Sequence, residues 1–551
     1  MKKSKNKITV KLNYGLQIVL VGGLTGLSVG LVATLYAALD NLIEEFTHGD
    51  YGYGFFRNNP AFIPLLFLAL AAGGIVIGGV LRFLPMIRGN GIPLTEGAAR
   101  GVVRYKWYQI LPAMFASSLF CVFMGLASGG EGPSVAMGGA CGYGVSNALK
   151  RNATVRRYQI TGGACAGLAV ASNAPLTGMA FAFEEAHKRF TPEVFTCAFS
   201  SVIIALITRN LLAPFLGLST GAAFSTFVFN ANANDPLFYL YAFAAAVVCS
   251  LAAVGFYYLL VLFKRLFKKF TLWKGMGKMT VPFLLAGVFG LITGGAIGGG
   301  HEFIDSLGSA SEGVERVFSS PLWATLLIII VLRLIATAVN AGAELPCGIF
   351  VPMIAVGAGI GALMSELFVV MGMDVAYRDT LVVICMAVFF TAAVKAPITG
   401  IVMTMELTWS FTYLLPAIIG VAVGYVLGGI FHTKPLYDML LDDMLEESEE
   451  TAVRHSVCVR LRVKAGSLAK ERAVRDVLWP AGARITVLEH LGKNTVPDGN
   501  SVLMEGDILT VTGETADEED FLSLLVTAVG ELVEEEKEQP QEEHAEAQEP
   551  Q

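Results

Sequence analysis

NAPLTGMAFAFEE, at residues 173–185, returns 222 positions later as KAPITGIVMTMEL, at residues 395–407. Both carry an A-P-[LI]-T-G core inside an apolar run. Proline can open a helix there without losing a needed N–H, and glycine lets the backbone approach a neighbour closely. A second echo joins EGPSVAMGGACG, at 131–142, to GIFVPMIAVGAGIG, at 348–361, each entering a helix of small residues through Gly and Pro. Two related halves of about 200 residues point to a transporter architecture built from repeats, with the substrate site where the halves meet near mid-membrane.

The composition agrees with a lipid environment. Of 551 residues, 54% are hydrophobic and only 15% charged, with a mean hydropathy of +0.60, too apolar for an ordinary soluble enzyme. Apolar runs at 15–39, 62–84, 237–263, 322–339 and 381–394 suit helices crossing about 30 Å of hydrocarbon, and the length criterion predicts roughly ten to twelve such segments. The 60 glycines concentrate in these runs, which fits closely packed or interrupted membrane helices. The net charge of −7 arises mostly from a Glu-rich end beginning at Glu531. Basic clusters at 1–11, 150–157 and 264–278 are expected on the cytoplasmic side. The apolar stretch after MKKSKNK is too long for a signal peptide and has no clear cleavage site, so it is expected to be retained. Eight scattered cysteines, seven in apolar segments and none in a CxxC pair, read as small buried hydrophobes rather than disulfides or metal ligands.

The fold class expected is an all-α polytopic membrane domain over 1–445, with repeats at roughly 15–215 and 235–440, followed by a small cytoplasmic α/β domain over 453–527. In the latter, VCVRLRV (457–463), RITVLEHL (484–491) and DILTVTG (507–513) have strand length and pattern. AKERAVRDVL (469–478) reads as a helix, and VPDGN (496–500) as a turn in which Pro fixes φ and Asp-Gly accepts the bend. Beyond Gly530, residues 530–551 form an acidic tail with too few apolar residues to fold.

Four stretches place backbone amides or a hydroxyl where an anion could use them: GNGIP (89–93), SGGEGP (128–133), GIFVP (348–352) and KPLY (434–437). A helix N-terminus offers free N–H groups and about half a positive charge. Several converging N-termini would hold an anion without a fixed Lys or Arg, weakly enough to release it quickly. Glu131 lies inside one such stretch. An acid within the membrane costs several kcal/mol unless it faces a polar cavity or is neutral, so it is a functional candidate. Ionised, its carboxylate could fill the anion's place; protonated, it would swing away.

These four motifs in this order resemble the CLC family of anion channels and proton-coupled anion exchangers, whose motifs read G-S-G-I-P, G-R-E-G-P and G-x-F-x-P, followed by a Tyr near the end of the membrane domain. The resemblance implies an inverted repeat with interrupted helices and a homodimer with one ion pathway per subunit. It implies that Asn90 and Gly91, the amides of Ile349 and Phe350, and the Tyr437 hydroxyl hold the anion, and that Glu131 is the gating glutamate. Exchangers of this family carry an internal proton-transfer glutamate as the second acid of a pair, which maps to Glu185. Glu184 alone would read as a solvated helix end, Glu406 in the second repeat as structural, and His187, Lys188 and Arg189 as a helix end snorkelling to water. Two positions depart from the pattern: Asn90 replaces Ser, exchanging a hydroxyl for an amide, and Gly130 replaces Arg, removing a cation beside the gate. Chloride is the first expectation for the anion, with fluoride or nitrate as alternatives.

A second resemblance covers about seventy residues: AGS at 465–467 and RITVLEHLGKNTVPDGNSVLMEGDILTVTGE look like the RCK-C (TrkA-C) regulatory domain. It implies a module that dimerises and, in some members, binds a small nucleotide. The leading expectation is thus a proton-coupled anion antiporter of a bacterial cell membrane. A passive anion channel of the same fold is the alternative. A potassium transport subunit would need a TVGYG-type filter, which the sequence lacks, and the repeats and intramembrane Glu131 argue against an inert receptor anchor. No P-loop, zinc spacing or catalytic triad supports an enzyme, a cofactor or a nucleic-acid partner.

Overall fold

The computed structural model describes residues 2–103, 105–186, 188, 191–229, 235–270, 277–310, 313–449, 455–477, 479–480, 482–515 and 518–533. Two compact units emerge, Met1–Glu447 and Ser448–Gln551. His187, Arg189 and nearly all of the acidic tail fall outside the described residues.

The first unit is helical. Seven of its described helices are long and apolar enough to cross a membrane, and three apolar helices are shorter. That is fewer than the ten to twelve full crossings expected from length. The deficit has a physical cause: several elements end halfway. Ile92–Arg100, Pro175–Phe181, His301–Leu307 and Pro397–Thr408 have only 9, 7, 7 and 12 residues, and at about 1.5 Å per residue none spans the hydrocarbon. Helices such as Glu131–Ala148 and Ala153–Ser172 are too rich in Gly and polar residues to pass a hydropathy criterion, yet most of their residues are buried by protein.

Small residues set the packing. Along the first helix, Lys2–His48, a Cβ on Gly22 or Gly26 would lie 2.9 Å from the Cys197 carbonyl oxygen or 2.3 Å from that of Ser201, so this stripe lies directly on Pro192–Leu216. Ser201 Oγ donates to the Gly22 carbonyl at 2.9 Å, and Gln159 Nε2 to Thr25 Oγ1 at 3.2 Å. Interhelical contacts of this kind hold membrane helices where lipid supplies no hydrophobic drive. In the first half Glu131–Ala148 crosses Ala153–Ser172, and in the second Phe350–Val370 packs on Arg378–Val394. Gly138 and Gly142 of one pair correspond to Gly357 and Gly361 of the other, and all four sit against a facing backbone.

The repeats meet symmetrically. Gly129 and Gly348 form an antiparallel bridge, with the Gly129 amide donating to the Gly348 carbonyl at 2.9 Å. Asn173 and Lys395, equivalent in the two halves, both end a helix in the left-handed region, at φ 51° and 70°. The eight cysteines are free; seven are buried and Cys458 is exposed. Of the basic clusters, Arg157 is buried and caps the end of Ile92–Arg100, its Nε donating to Ala99 O at 2.7 Å and its Nη2 to Arg100 O at 2.8 Å. Lys264 Nζ contacts Asp443 at 2.7 Å.

In the second unit, strands β1 (His455–Val463), β3 (Arg484–His490), β4 (Lys493–Thr495), β6 (Ile508–Thr515) and β7 (Gly530–Leu532) form one sheet in the order β4-β3-β6-β1-β7; β2 (Arg472–Ala473) pairs separately with β5 (Val502–Leu503). The three predicted strands are present. The predicted helix at 469–478 is not: it is β2 and a 3-10 turn, Val474–Asp476. Its amides are taken by tertiary partners instead, Glu471 N by Leu503 O at 2.8 Å and Val474 N by Ser501 O at 2.9 Å. The helix lies later, at Glu518–Val529, burying Phe521, Leu525 and Val529 against Val457, Leu461, Leu509 and Val511. The VPDGN turn is tied by Asp498, whose Oδ1 accepts from Asn500 N at 3.0 Å and Ser501 Oγ at 2.8 Å. These donors, the Ser501 hydroxyl foremost, hold its carboxyl below the usual aspartate range.

Candidate anion and proton site

Three loops converge on the bridge between the repeats. Gly91 precedes Ile92–Arg100 at φ 82°, a conformation glycine adopts without strain, and a Cβ there would also meet Gly132 O at 2.9 Å. A Cβ on Gly132 would lie 2.3 Å from Asn90 O and 3.1 Å from Gly348 Cα. The Asn90 loop, the start of Glu131–Ala148 and the Gly348 loop are therefore in backbone contact. Ile349 and Phe350 begin Phe350–Val370, so their amides are among those with no intrahelical acceptor.

Buried polar atoms without partners mark the same region. Asn90 Oδ1 accepts from Ile92 N at 3.2 Å, and among the described residues its buried Nδ2 has no acceptor. The Tyr437 hydroxyl, at 1% exposure, likewise has no hydrogen-bond partner among the described residues. Glu131 is 2% exposed with Oε2 unpaired among the described residues. Such groups cost free energy unless something fills the site. Tyr437 lies within electrostatic reach of Glu131, Glu185 and Glu96. At Gly130 a Cβ would come within 2.7 Å of Asp40 Oδ2: where the family pattern has an arginine, this chain brings up an aspartate.

Glu184 and Glu185 lie in a π-helical turn, Ala182–Ala186, a local widening of the helix common at functional sites. It sends the two carboxylates to different fates. Glu184 reaches across to the second repeat and caps Pro397–Thr408, accepting from Ile398 N at 2.9 Å and Thr399 N at 2.6 Å. Glu406, its equivalent, returns the contact to Pro175–Phe181, accepting from Leu176 N and Thr177 N at 2.7 Å each, and from Thr177 Oγ1 at 2.7 Å. The A-P-x-T-G repeat is thus a reciprocal pair of helix caps. Replacing Glu406 by Gln removes the charge at that N-terminus and is expected to cost about 1–2 kcal/mol. Thermal unfolding in detergent would show it, with the ratio of protons to anions moved left unchanged.

Glu185, which has no acidic counterpart in the second repeat, is 2% exposed with Oε2 unpaired. It interacts with Glu96 of Ile92–Arg100, which is 1% exposed and has neither oxygen hydrogen-bonded among the described residues. Arg100 binds this inner group together: it donates to Asp438 Oδ1 from Nη1 and Nη2 at 3.2 Å, to Glu185 O at 3.3 Å, and lies 3.6 Å from Glu96 Oε2. Lys188 pairs with Asp438.

The residues singled out from sequence thus separate into a bridge cluster, comprising Asn90, Gly91, Glu131, Ile349 and Phe350, and an inner acid, Glu185, with Tyr437 in reach of both. Sequence reasoning missed Glu96, Arg100 and Asp40. Glu96, four residues after GNGIP's proline region begins its helix, was discoverable as a second intramembrane acid; Asp40 looks in sequence like the watery end of an apolar run.

A many-helix membrane protein of two interlocked repeats, with unfilled polar atoms at the helix starts where they meet, belongs to the class of repeat-built transporters and channels. The model of the voltage gated chloride channel family matches residues 72–429, and that of the TrkA-C domain residues 458–526. The chain belongs to the voltage gated chloride channel family and carries a TrkA-C domain. It is 29% identical over 435 residues, 77% of this chain and 89% of the relative, to the H(+)/Cl(-) exchange transporter ClcA of Vibrio cholerae. It is also 29% identical over 379 residues to ClcA of Yersinia pestis, covering 67% and 76%. Its fold is that of a slow cyanobacterial Cl-/H+ antiporter, with TM-score 0.70 at 22% identity over 78% of this chain and 99% of the other. It also matches a CLC-type fluoride/proton antiporter, with TM-score 0.62 at 19% identity over 76% and 96%.

Proposed function

We propose that this protein exchanges a small anion, chloride in the first instance, for protons. The observation carrying the reading is a pair of buried acids, Glu131 at the repeat bridge and Glu185 beside Glu96, each with Oε2 lacking a hydrogen-bond partner among the described residues and both within electrostatic reach of Tyr437. The anion sits at the start of Phe350–Val370, held by the amides of Ile349 and Phe350, by Asn90 Nδ2 and by the Tyr437 hydroxyl, with Gly91 keeping the Asn90 loop close. These are dipoles rather than full charges, so binding is weak enough for turnover. Glu131 competes for the same place when ionised and leaves it when protonated. Glu185 passes the proton between this gate and the cytoplasm, with Glu96 as its neighbour.

The engaged Asn90 Oδ1 supports an anion over a cation, because it leaves the side chain facing the site as a donor. The name of the Vibrio cholerae relative supports chloride. We further propose a homodimer in the cell membrane, a TrkA-C domain in the cytoplasm that regulates transport, and a small nucleotide as a ligand for it.

The test is purified protein in chloride-loaded liposomes, with chloride efflux and external pH recorded together. A chloride gradient that drives protons uphill, and that loses this ability with retained anion flux in Glu185→Gln, is the expected result. Chloride flux with no coupled protons would make the protein a passive channel, and no chloride flux with transport of fluoride or nitrate would reassign the anion.

A further inference from the structure

Glu131 is buried, so a proton reaching it from outside needs a carrier with access to water. One side chain provides the connection. His301 Nε2 lies 3.7 Å from Glu131 Oε1 and its Nδ1 lies 3.9 Å from Glu44 Oε2, while the His301 side chain is 35% exposed against 2% for Glu131. The imidazole therefore spans from the gate to solvent.

Its position is built rather than incidental. His301 opens a short helix after Gly300, which is at φ 109°. The preceding glycine loop is clamped by the buried Arg333, whose Nε donates to Gly295 O at 2.6 Å and Nη2 to Ile297 O at 3.0 Å. Glu44 holds the same loop by accepting from Gly299 N at 2.6 Å. On the other side Phe224 packs 5.9 Å, centroid to centroid, from the imidazole, and its amide is bonded to Leu407 O at 2.9 Å. The first helix thus contributes Glu44 and, beneath Gly130, Asp40 with Oδ1 unpaired.

We propose that His301 is the outer proton donor and acceptor of Glu131, with Glu44 flanking its other ring nitrogen. The idea rests on the gating role given to Glu131 above. The step balances simply. Outer water protonates the ring, giving an imidazolium with N–H at both nitrogens. The Nε2 proton passes to the Glu131 carboxylate, leaving a neutral Glu131 and the Nδ1–H tautomer of His301. Once Glu131 has swung away, Nε2 takes its next proton from water, and the reverse sequence releases protons outward. The other titratable or charged groups around this path are Tyr36, Asp40 and Tyr437 near Glu131, Asp305 near His301, His48 near Glu44, Glu302 against His48, and Arg333 in the loop.

The experiment uses the full chain in liposomes and reads anion flux against external pH, for the natural protein, His301→Ala, and His301→Ala with imidazole added outside. The expected result is a fall of at least about tenfold in flux at mildly acidic external pH, a flattened pH profile, and recovery with imidazole. In a Glu131→Gln background His301→Ala should change nothing further. An unchanged pH profile in His301→Ala overturns the proposal, as does a loss that imidazole fails to restore, which would make the residue a packing element. Both readings hold whether or not protons are coupled stoichiometrically, so a failure here is distinct from the natural protein failing to drive protons uphill.

Discussion

Glu131→Gln is expected to abolish uphill proton movement, by at least about 100-fold relative to the natural chain, while anion flux continues and no longer varies with pH. Glutamine keeps the shape of a protonated glutamate and cannot ionise, so the competitor for the anion's place is permanently withdrawn. The side chain is 2% exposed, follows Gly130 at the start of Glu131–Ala148, and lies beside the bridge of Gly129 and Gly348. A carboxylate there is stabilised by the same N-terminal amides and dipole that would stabilise an anion. Simultaneous recording of chloride and pH in liposomes decides the matter. Retained proton pumping in Glu131→Gln would remove this residue from the proton path, and loss of all anion flux would mean that it holds the pathway open rather than closing it.

Gly163→Val is expected to cost about 3 kcal/mol or more, enough to prevent a monodisperse protein from being recovered. A Cβ at 163 would lie 2.1 Å from Gly138 O and 2.9 Å from Gly138 C, and a Cβ at 138 would lie 2.1 Å from Gly163 O. Both partners are helix backbone, so no side-chain rotation relieves the overlap. The helix displaced is the one that carries Glu131 at its start, so any protein that survives should also transport slowly. Gly255→Ala is the control: nothing lies within 4 Å of a Cβ there, and alanine favours the helix by about 1 kcal/mol over glycine. Size-exclusion profiles and thermal unfolding in detergent compare the two. A Gly163→Val protein as stable as the natural chain would mean that the two helices separate at little cost.

Sequence legibility followed the range of the interaction concerned. The A-P-x-T-G repeat, the helix-opening Gly and Pro motifs and the intramembrane Glu131 are local signals, readable because backbone conformation and the cost of burying a charge are properties of a few adjacent residues. The helix expected at 469–478 failed because its amides pair with Leu503 and Ser501, partners that helical propensity does not see. The count of full crossings was too high because hydropathy measures apolarity, not where a helix stops.

By itself, then, the sequence determined a membrane protein of two related halves with an anion-type motif set and two placed acids. Only the tertiary structure decided that Glu184 and Glu406 are reciprocal caps while Glu185 turns to lie beside Glu96, and that Asp40, Glu44 and His301 come near Glu131. Those distinctions depend on groups that lie 214 to 255 residues apart, and no local preference encodes which of two neighbouring carboxylates finds a donor across the repeat interface.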